Sequence, residues 1–294
     1  MADLSLVDLN TPFDPGLVGK IHDAQSTIAP LGSAIVAFSG GVDSAVVLRL
    51  ALESLPGHVL AATGLSMSYA AEEIAEAKHV AAVIGAPHQM VETMEVTDPR
   101  YADNTHQRCF FCKTELYSKL KETAAQLGYA AILDGTNADD GDDYRPGIRA
   151  ADALGVISPL AQAGITKSEI RQMARAWGIP IWNKPAAACL SSRFQYGDPI
   201  TVEKLRQVGK AESGLRALGL RGFRVRHHDD IARLEIPAEM LAWVVEHRDE
   251  VISAVKAAGY TYVTVDLEGF RSGSMNEVLH ARVKSAGLRR PGPG

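Results

Sequence analysis

From about residue 33 the chain alternates short apolar runs with longer stretches whose apolar residues recur at helical spacing. A buried strand is predicted over 34–38 and a helix over 44–55. A second strand at 58–63 precedes an Ala- and Glu-rich helix over 71–84. A strand at 89–94, a helix at 113–127 and a strand at 130–134 follow, then a short strand at 156–157 and a helix at 167–177. Such alternation predicts an α/β fold, a Rossmann-like parallel sheet covered by helices on both faces. Ligands of such sheets sit beyond the carboxyl ends of the strands, so the loop after the first strand is the expected site. Past about Pro199 the pattern changes to a helix (202–218), alternating strands (223–226 and 232–236), a helix (239–258) and a strand (262–265). This predicts a smaller C-terminal α+β domain. The expected organisation is a first domain over 1–195, a second over 200–276, and a tail over 277–294, rich in Pro and Gly at its end and partly disordered.

Composition narrows the class. Of 294 residues 46% are hydrophobic and 22% charged, as in an ordinary globular protein, and internal repeats are absent. The net charge of −5 argues against a stable grip on nucleic acid. No basic-then-apolar leader and no membrane-length apolar run are found, so a cytoplasmic enzyme without membrane partners is expected. The oligomeric state is left open, a homo-oligomer included.

The candidate chemistry begins at Ser39-Gly40-Gly41-Val42-Asp43-Ser44, between the first strand and its helix. Glycines there let backbone N–H groups approach an oxyanion, and the helix N-terminus adds its positive end. Ser39 and Ser44 supply hydroxyls, and Asp43 is placed to hold magnesium. The loop lacks the G-x-x-x-x-G-K-[ST] pattern of γ-phosphate transfer.

Three cysteines cannot all pair within one chain. Cys109-Phe110-Phe111-Cys112 and the distant Cys189 admit several readings. One is a [4Fe–4S] cluster with one iron left open, and another is a zinc site completed by a histidine such as His106. A redox pair is a third, and a fourth has Cys109 and Cys112 as small packing residues with only Cys189 reactive.

The stretch 38–44 resembles the pyrophosphatase loop of the PP-loop ATP-pyrophosphatases. That resemblance implies cleavage of ATP between its α- and β-phosphates, with adenine over Gly64-Leu65-Ser66 and a further nucleotide loop at Asp134-Gly135-Thr136-Asn137. Several further motifs follow in order: Arg108-Cys109-Phe110-Phe111-Cys112-Lys113, the acidic run 134–140, Asp143-Tyr144-Arg145-Pro146-Gly147, and Cys189-Leu190-Ser191-Ser192-Arg193. With Phe223-Arg224-Val225-Arg226-His227-His228 and Gly269-Phe270-Arg271-Ser272-Gly273-Ser274, the set is similar to the LarE family, over about residues 32–276. LarE proteins are sulfur transferases of nickel-pincer nucleotide synthesis. The resemblance implies ATP, Mg2+ and pyridinium-3,5-biscarboxylic acid mononucleotide as reactants. A carboxylate is adenylated and its activated oxygen replaced by sulfur. Some members give up the sulfur of the cysteine matching Cys189. Others carry it on a [4Fe–4S] cluster held by three cysteines, and Cys109, Cys112 and Cys189 match that type.

Site assignments follow from these readings. Cys189 and Asp43 are the candidate catalytic residues. The nucleotide falls to Ser39, Gly40, Gly41, Asp43, Ser44, Ser66, Gly135 and Thr136. Arg224 and Arg226 share a strand face and, with Arg271, suit the substrate 5′-phosphate, against the alternative of a solvated surface. Glu212 and Glu235 are metal or orienting carboxylates, or plain surface residues. Lys113, Arg145 and Arg193 are electrostatic helpers. His227 and His228 point to opposite strand faces and do not share a site. Trp177 and Trp182 read as packing. The competing functions are a cluster-dependent tRNA thiolase, an amidating synthetase and a non-catalytic nucleotide-binding redox sensor.

Overall fold

The computed structural model describes residues 13–142, 146–184 and 188–271. These form two compact units, one of residues 13–101 with 107–184, the other of 102–106 with 188–271. The chain therefore enters the second unit before Cys189, ahead of the 195–200 stretch that the pattern suggests. The cause is a knot that local sequence does not advertise. Asn104 is fully buried in a left-handed conformation (φ 51°). Its amide donates to the carbonyls of Gln195 (2.7 Å) and Asp198 (3.0 Å), and its own carbonyl accepts from Gly197 N (3.0 Å).

Up to residue 184 the elements are α1 (Pro15–Ile28), β1 (Ala34–Ala37), α2 (Val42–Ser54), β2 (Val59–Leu65), α3 (Ala71–Ile84), β3 (His88–Glu92), the short α4 (Pro99–Ala102), α5 (Arg108–Leu127), β4 (Ala131–Leu133), α6 (Pro146–Ala153), the short α7 (Pro159–Gln162) and α8 (Lys167–Ala176). The strands form a parallel sheet in the order β3-β2-β1-β4, and Ile157 adds a parallel bridge to Leu133. Alternation along β1 divides the core. Val36 and Phe38 pack with Ile21, Val46, Val80 and Met173, and Ile35 and Ala37 pack with Tyr117 and Leu120 on the other face. Every β1 residue is buried, as a central parallel strand requires. The architecture is the α/β sheet that the sequence pattern predicts.

Two elements differ from the periodicity. The helix α1 precedes the first strand, capped by Asp14, whose carboxylate accepts from Gly16 N and Leu17 N. Its Leu17, Ile21, Ala24 and Ile28 form the buried stripe. The helix α5 starts five residues before the expected Lys113, which puts the cysteine pair in its first two turns. Cys and Phe are middling helix formers, so their run does not announce a helix.

The second unit comprises α9 (Val202–Ala217), β5 (Arg224–His228), β6 (Ile231–Glu235), α10 (Leu241–Glu246), α11 (Arg248–Lys256) and β7 (Tyr262–Val265). β5 and β6 are antiparallel, β6 and β7 parallel. Leu215, Val225, Leu234, Ile236 and Val255 form its core. The helix expected over 239–258 is broken at His247. That ring stacks on Trp243 at 4.1 Å, and the Trp243 carbonyl accepts from His247 N (2.9 Å) with the ring Nδ1 also at 2.9 Å.

Two ion pairs are buried in this unit. Glu212 of α9 is fully buried and bridges both oxygens to Arg193 (2.8 and 2.9 Å), while also accepting from Arg216 (2.8 Å) and Val225 N (3.1 Å). Arg226 of β5 and Glu235 of β6, both fully buried, meet at 2.6 Å. Removing one partner leaves an uncompensated charge in the interior. Glu212→Ala is therefore expected to lower the second unit's stability by about 3–5 kcal/mol in urea denaturation, and a loss within error would contradict the pairing.

His227 supplies a pH dependence. Its ring is buried against Phe194, Nδ1 lies 3.0 Å from the Tyr260 hydroxyl, and Nε2 has no partner among the described residues. Burial holds its pKa below the usual histidine range. Lys204 and His228 push the same way, while Asp229 and Asp198 oppose. The folded pKa lies under the unfolded one, so the contribution to stability is complete above about pH 6.5 and is lost as pH falls through that value. His228 is shifted in the same direction, chiefly by burial. The urea midpoint should drop between about pH 7.5 and about pH 5.5, and His227→Leu should shrink the drop.

Candidate functional site

The loop after β1 is built as a cradle. Gly40 holds φ +72°, and a Cβ there would sit 2.8 Å from the Ala77 Cβ of α3, so both its conformation and its space call for glycine. Gly41 caps α2 without a side-chain hydrogen bond, so no side chain closes off the first turn. Ser44 Oγ donates to the Gly41 carbonyl (3.0 Å) and lies 3.3 Å from both Ser39 N and Ser39 Oγ. Gly135, after β4, packs on the same turn, and a Cβ at that position would meet Ser44 N at 2.7 Å. The fold thus brings together Ser39, Gly40, Gly41, Asp43, Ser44 and Gly135.

Asp134 shapes the second loop. Its Oδ1 accepts from Ser158 Oγ (2.7 Å) and Thr136 N (3.1 Å), and its Oδ2 from Tyr117 OH (2.7 Å) and Thr136 Oγ1 (2.9 Å). The Thr136 hydroxyl is therefore turned inward to Asp134. Burial, aided by Asp134, pushes the Tyr117 pKa up to about 12, which keeps its hydroxyl a donor. Lys113 Nζ stands 5.1 Å over the Tyr117 ring. Burial pulls the Lys113 pKa down, but Tyr117, Asp134 and Cys112 outweigh it and hold the ammonium charged.

A cavity opens beside the cradle at the carboxyl ends of β1 and β2, lined by Phe38, Ser39, Thr63, Gly64, Tyr69 and Lys113 among others. Ser66 stands just beyond, nearly buried, and both its hydroxyl and that of Ser68 donate to Glu95 Oε1. Ser66 thus shapes the loop at the end of β2.

Asp43 carries a cation already. Both its oxygens accept from Lys167 Nζ, at 2.6 and 2.5 Å. The donor set therefore suits a positive group at this point of the cradle.

Cys109 is exposed and Cys112 half-buried, three residues apart in the first two turns of α5, and no cysteine is in a disulfide. Cys189, half-buried, belongs to the second unit, as does the exposed His106. Three thiols suit soft iron chemically, but among the described residues no group of three metal-ligating side chains is gathered.

The turn bearing Cys189 is held by arginines. Arg193 Nη1 donates to the carbonyls of Ala188 (2.5 Å) and Cys189 (3.1 Å), and Arg226 Nη1 donates to Ser192 O (2.6 Å). Glu212 and Glu235, through those arginines, orient this turn. Arg226, fully buried, is taken up by Glu235 and Ser192 and does not face solvent. Arg224 is half-buried with its guanidinium 4.8 Å over the Phe270 ring. Burial first, then Arg193 and Arg226, lower its pKa to about 10, a mark of crowded positive charge that an anion would relieve. Arg271 is partly exposed and paired with Glu268. Arg145 and residues 272–274 lie outside the described residues. His227 is buried and His228 half-buried on opposite strand faces, and Trp177 and Trp182 pack on the first core.

Sequence reasoning passed over Lys167, Tyr117, Ser158 and Glu95. Lys167 had one visible signal, its place directly after Thr166 in a Thr-x-x-Glu capping box that fixes a helix start.

No family model matches the chain. It is 44% identical to an uncharacterized protein of Synechocystis, over 90% of this chain and 99% of that protein. It is 28% identical to the tRNA-specific 2-thiouridylase MnmA of Rickettsia felis, over 74% of this chain and 67% of that enzyme. With the pyridinium-3,5-bisthiocarboxylic acid mononucleotide synthase of Lactiplantibacillus plantarum it shares 39% identity, over 90% of this chain and 93% of that enzyme. That identity over nearly the whole of both chains, with the PP-loop cradle on a four-stranded parallel sheet, makes the chain a member of the LarE family of sulfur transferases, within the PP-loop ATP-pyrophosphatase superfamily.

Proposed function

We propose that the protein is an ATP-dependent sulfur transferase that converts pyridinium-3,5-biscarboxylic acid mononucleotide to the thiocarboxylate. The observation that carries this reading is the cradle in which Gly40 and Gly135 let the loop approach the backbones of α3 and α2, beside a cavity at the carboxyl ends of β1 and β2.

A carboxylate is a poor electrophile because its oxygen leaves badly, and adenylation removes that obstacle. A substrate carboxylate oxygen attacks the α-phosphorus of ATP, the bond to the β-phosphate oxygen breaks and pyrophosphate leaves. Sulfur then attacks the acyl carbon and AMP departs. The loop N–H groups with Ser39 and Ser44 receive the pyrophosphate, and Lys113 meets negative charge on the cavity side. Asp43 would hold Mg2+, which neutralises phosphate charge when bound. Ser66 and Thr136, tied to Glu95 and Asp134, act by shaping the nucleotide loops.

Cys109, Cys112 and Cys189 would hold a [4Fe–4S] cluster, which supplies a nucleophilic sulfide when bound. Arg193 and Arg226 hold the Cys189 turn in place. Arg224 and Arg271 receive the substrate 5′-phosphate, with Arg226 as the buried support beneath. The first unit is thus the activation domain and the second the substrate-binding domain. The protein works in the cytoplasm on a small mononucleotide, and its net charge of −5 favours that over the tRNA thiolase reading. Among the described residues no helix is long and apolar enough to cross a membrane.

Pyrophosphate release that depends on the pyridinium mononucleotide, with a thiocarboxylate seen by mass spectrometry, is the expected result. Release stimulated instead by tRNA would contradict it. Gly135→Ala should cut ATP cleavage by about 10²-fold through displacement of the cradle, and should also lower the melting temperature, because the added methyl meets backbone. Unaltered cleavage in that variant would contradict the role of the cradle.

A further inference from the structure

We propose that Lys167 is the resident counter-cation of the phosphate loop. It fills the metal position on Asp43 in the nucleotide-free enzyme and passes to a pyrophosphate oxygen when Mg2+ arrives with ATP. The proposal rests on the reading of the loop as an ATP site, and concerns a residue that the motifs did not indicate.

The geometry is specific. Lys167 Nζ reaches both carboxylate oxygens of Asp43, at 2.6 and 2.5 Å, so one ammonium spans the face of the carboxylate that a divalent ion would use. The two residues are 124 positions apart, and their side chains are about a quarter to a third exposed. An ion pair of that exposure adds little to stability, so folding alone gives a weak account of it.

The lysine backbone is anchored independently of Asp43. Lys167 N donates to Asp139 Oδ2 (2.8 Å), and Lys167 is the first residue of α8 after the capping box of Thr166 and Glu169. Lys20 then holds Glu169 at 2.7 Å. Only the flexible stem of Lys167 has to move, while its root stays at the mouth of the loop. Swinging a lysine stem requires no change of fold.

Charge balance explains the exchange. Without nucleotide, the Asp43 carboxylate and the Lys167 ammonium cancel. A divalent ion entering alone would displace the ammonium and leave it beside a second cation. Mg2+ entering on ATP brings phosphate oxygens that can accept the displaced ammonium. The metal is therefore admitted with the nucleotide and disfavoured without it. As pyrophosphate departs, Lys167 returns to Asp43, which opposes retention of metal and product.

The test uses the whole chain and Mn2+ as a spectroscopic probe for the metal position. Electron paramagnetic resonance titration without nucleotide should show Lys167→Ala binding Mn2+ more tightly than wild type by roughly tenfold, the equivalent of one charge-assisted hydrogen bond. Adding Asp43→Asn to that variant should abolish the gain. Inorganic pyrophosphate with Mg2+ should bind Lys167→Ala more weakly by a similar factor, while Lys167→Arg stays close to wild type in both measurements. Lys167→Met, which keeps the stem, serves if the alanine variant folds poorly. Unchanged Mn2+ affinity, or unchanged pyrophosphate affinity, would overturn the proposal. Substrate-dependent pyrophosphate release by the wild type reports separately on the ATP reading, so the two can fail independently.

Discussion

The approach of one loop backbone to another is the constraint on which the first unit depends. Where β4 ends, Gly135 lies so near the first turn of α2 that a single methyl group would meet Ser44 N at 2.7 Å. Where β1 ends, Gly40 lies equally near α3. Two strand ends and two helices converge there only because side chains are absent. Parallel strands make the convergence possible, since β1, β2 and β4 all direct their carboxyl ends to the same edge. Asp134 supports the arrangement from beneath by gathering Tyr117, Ser158 and Thr136 around one buried carboxylate. The cradle is a by-product of close packing, and its polar groups come from backbone that the sheet already positions.

In the second unit the organising force is electrostatic. Arg193 and Arg226 are buried, and each is neutralised by a glutamate that is itself buried. Such pairs add little net stability over apolar packing, but they fix direction, because guanidinium and carboxylate meet in one geometry. Here that direction is toward the turn that carries Cys189, since both guanidinium groups also grip its backbone. Arg224 stands beside them, its pKa lowered to about 10 by burial first and then by Arg193 and Arg226.

Most of the first unit was legible because its signals are local. An apolar run, two glycines and a following helix state where β1, the loop and α2 lie, and the helix at 71–84 is found with the same bounds. The cradle residues could be named for the same reason. Long-range partners were hidden. Nothing near Asp43 indicates Lys167, and nothing in the Asn104 stretch indicates that it joins residues 195–200. Arg226, expected to face a ligand, is instead taken up by Glu235 and the Ser192 carbonyl in the interior, because alternation assigns a face but not what covers it. Glu235, left open between surface and function, is the partner that makes that burial tolerable, as Glu212 is for Arg193. The helix break at His247 escaped detection because a ring stacked on Trp243 leaves no trace in hydrophobic spacing.

The central claim is that three cysteines carry the sulfur that an ATP-activated carboxylate receives. Iron, acid-labile sulfide and zinc analysis of the anaerobically purified protein, beside a Cys189→Ala sample, tests it most directly. The account predicts iron and sulfide in the proportion of one [4Fe–4S] cluster per chain in the wild type and their loss in the variant. Stoichiometric zinc would contradict it, as would iron-free protein whose mass falls by that of hydrogen sulfide after turnover.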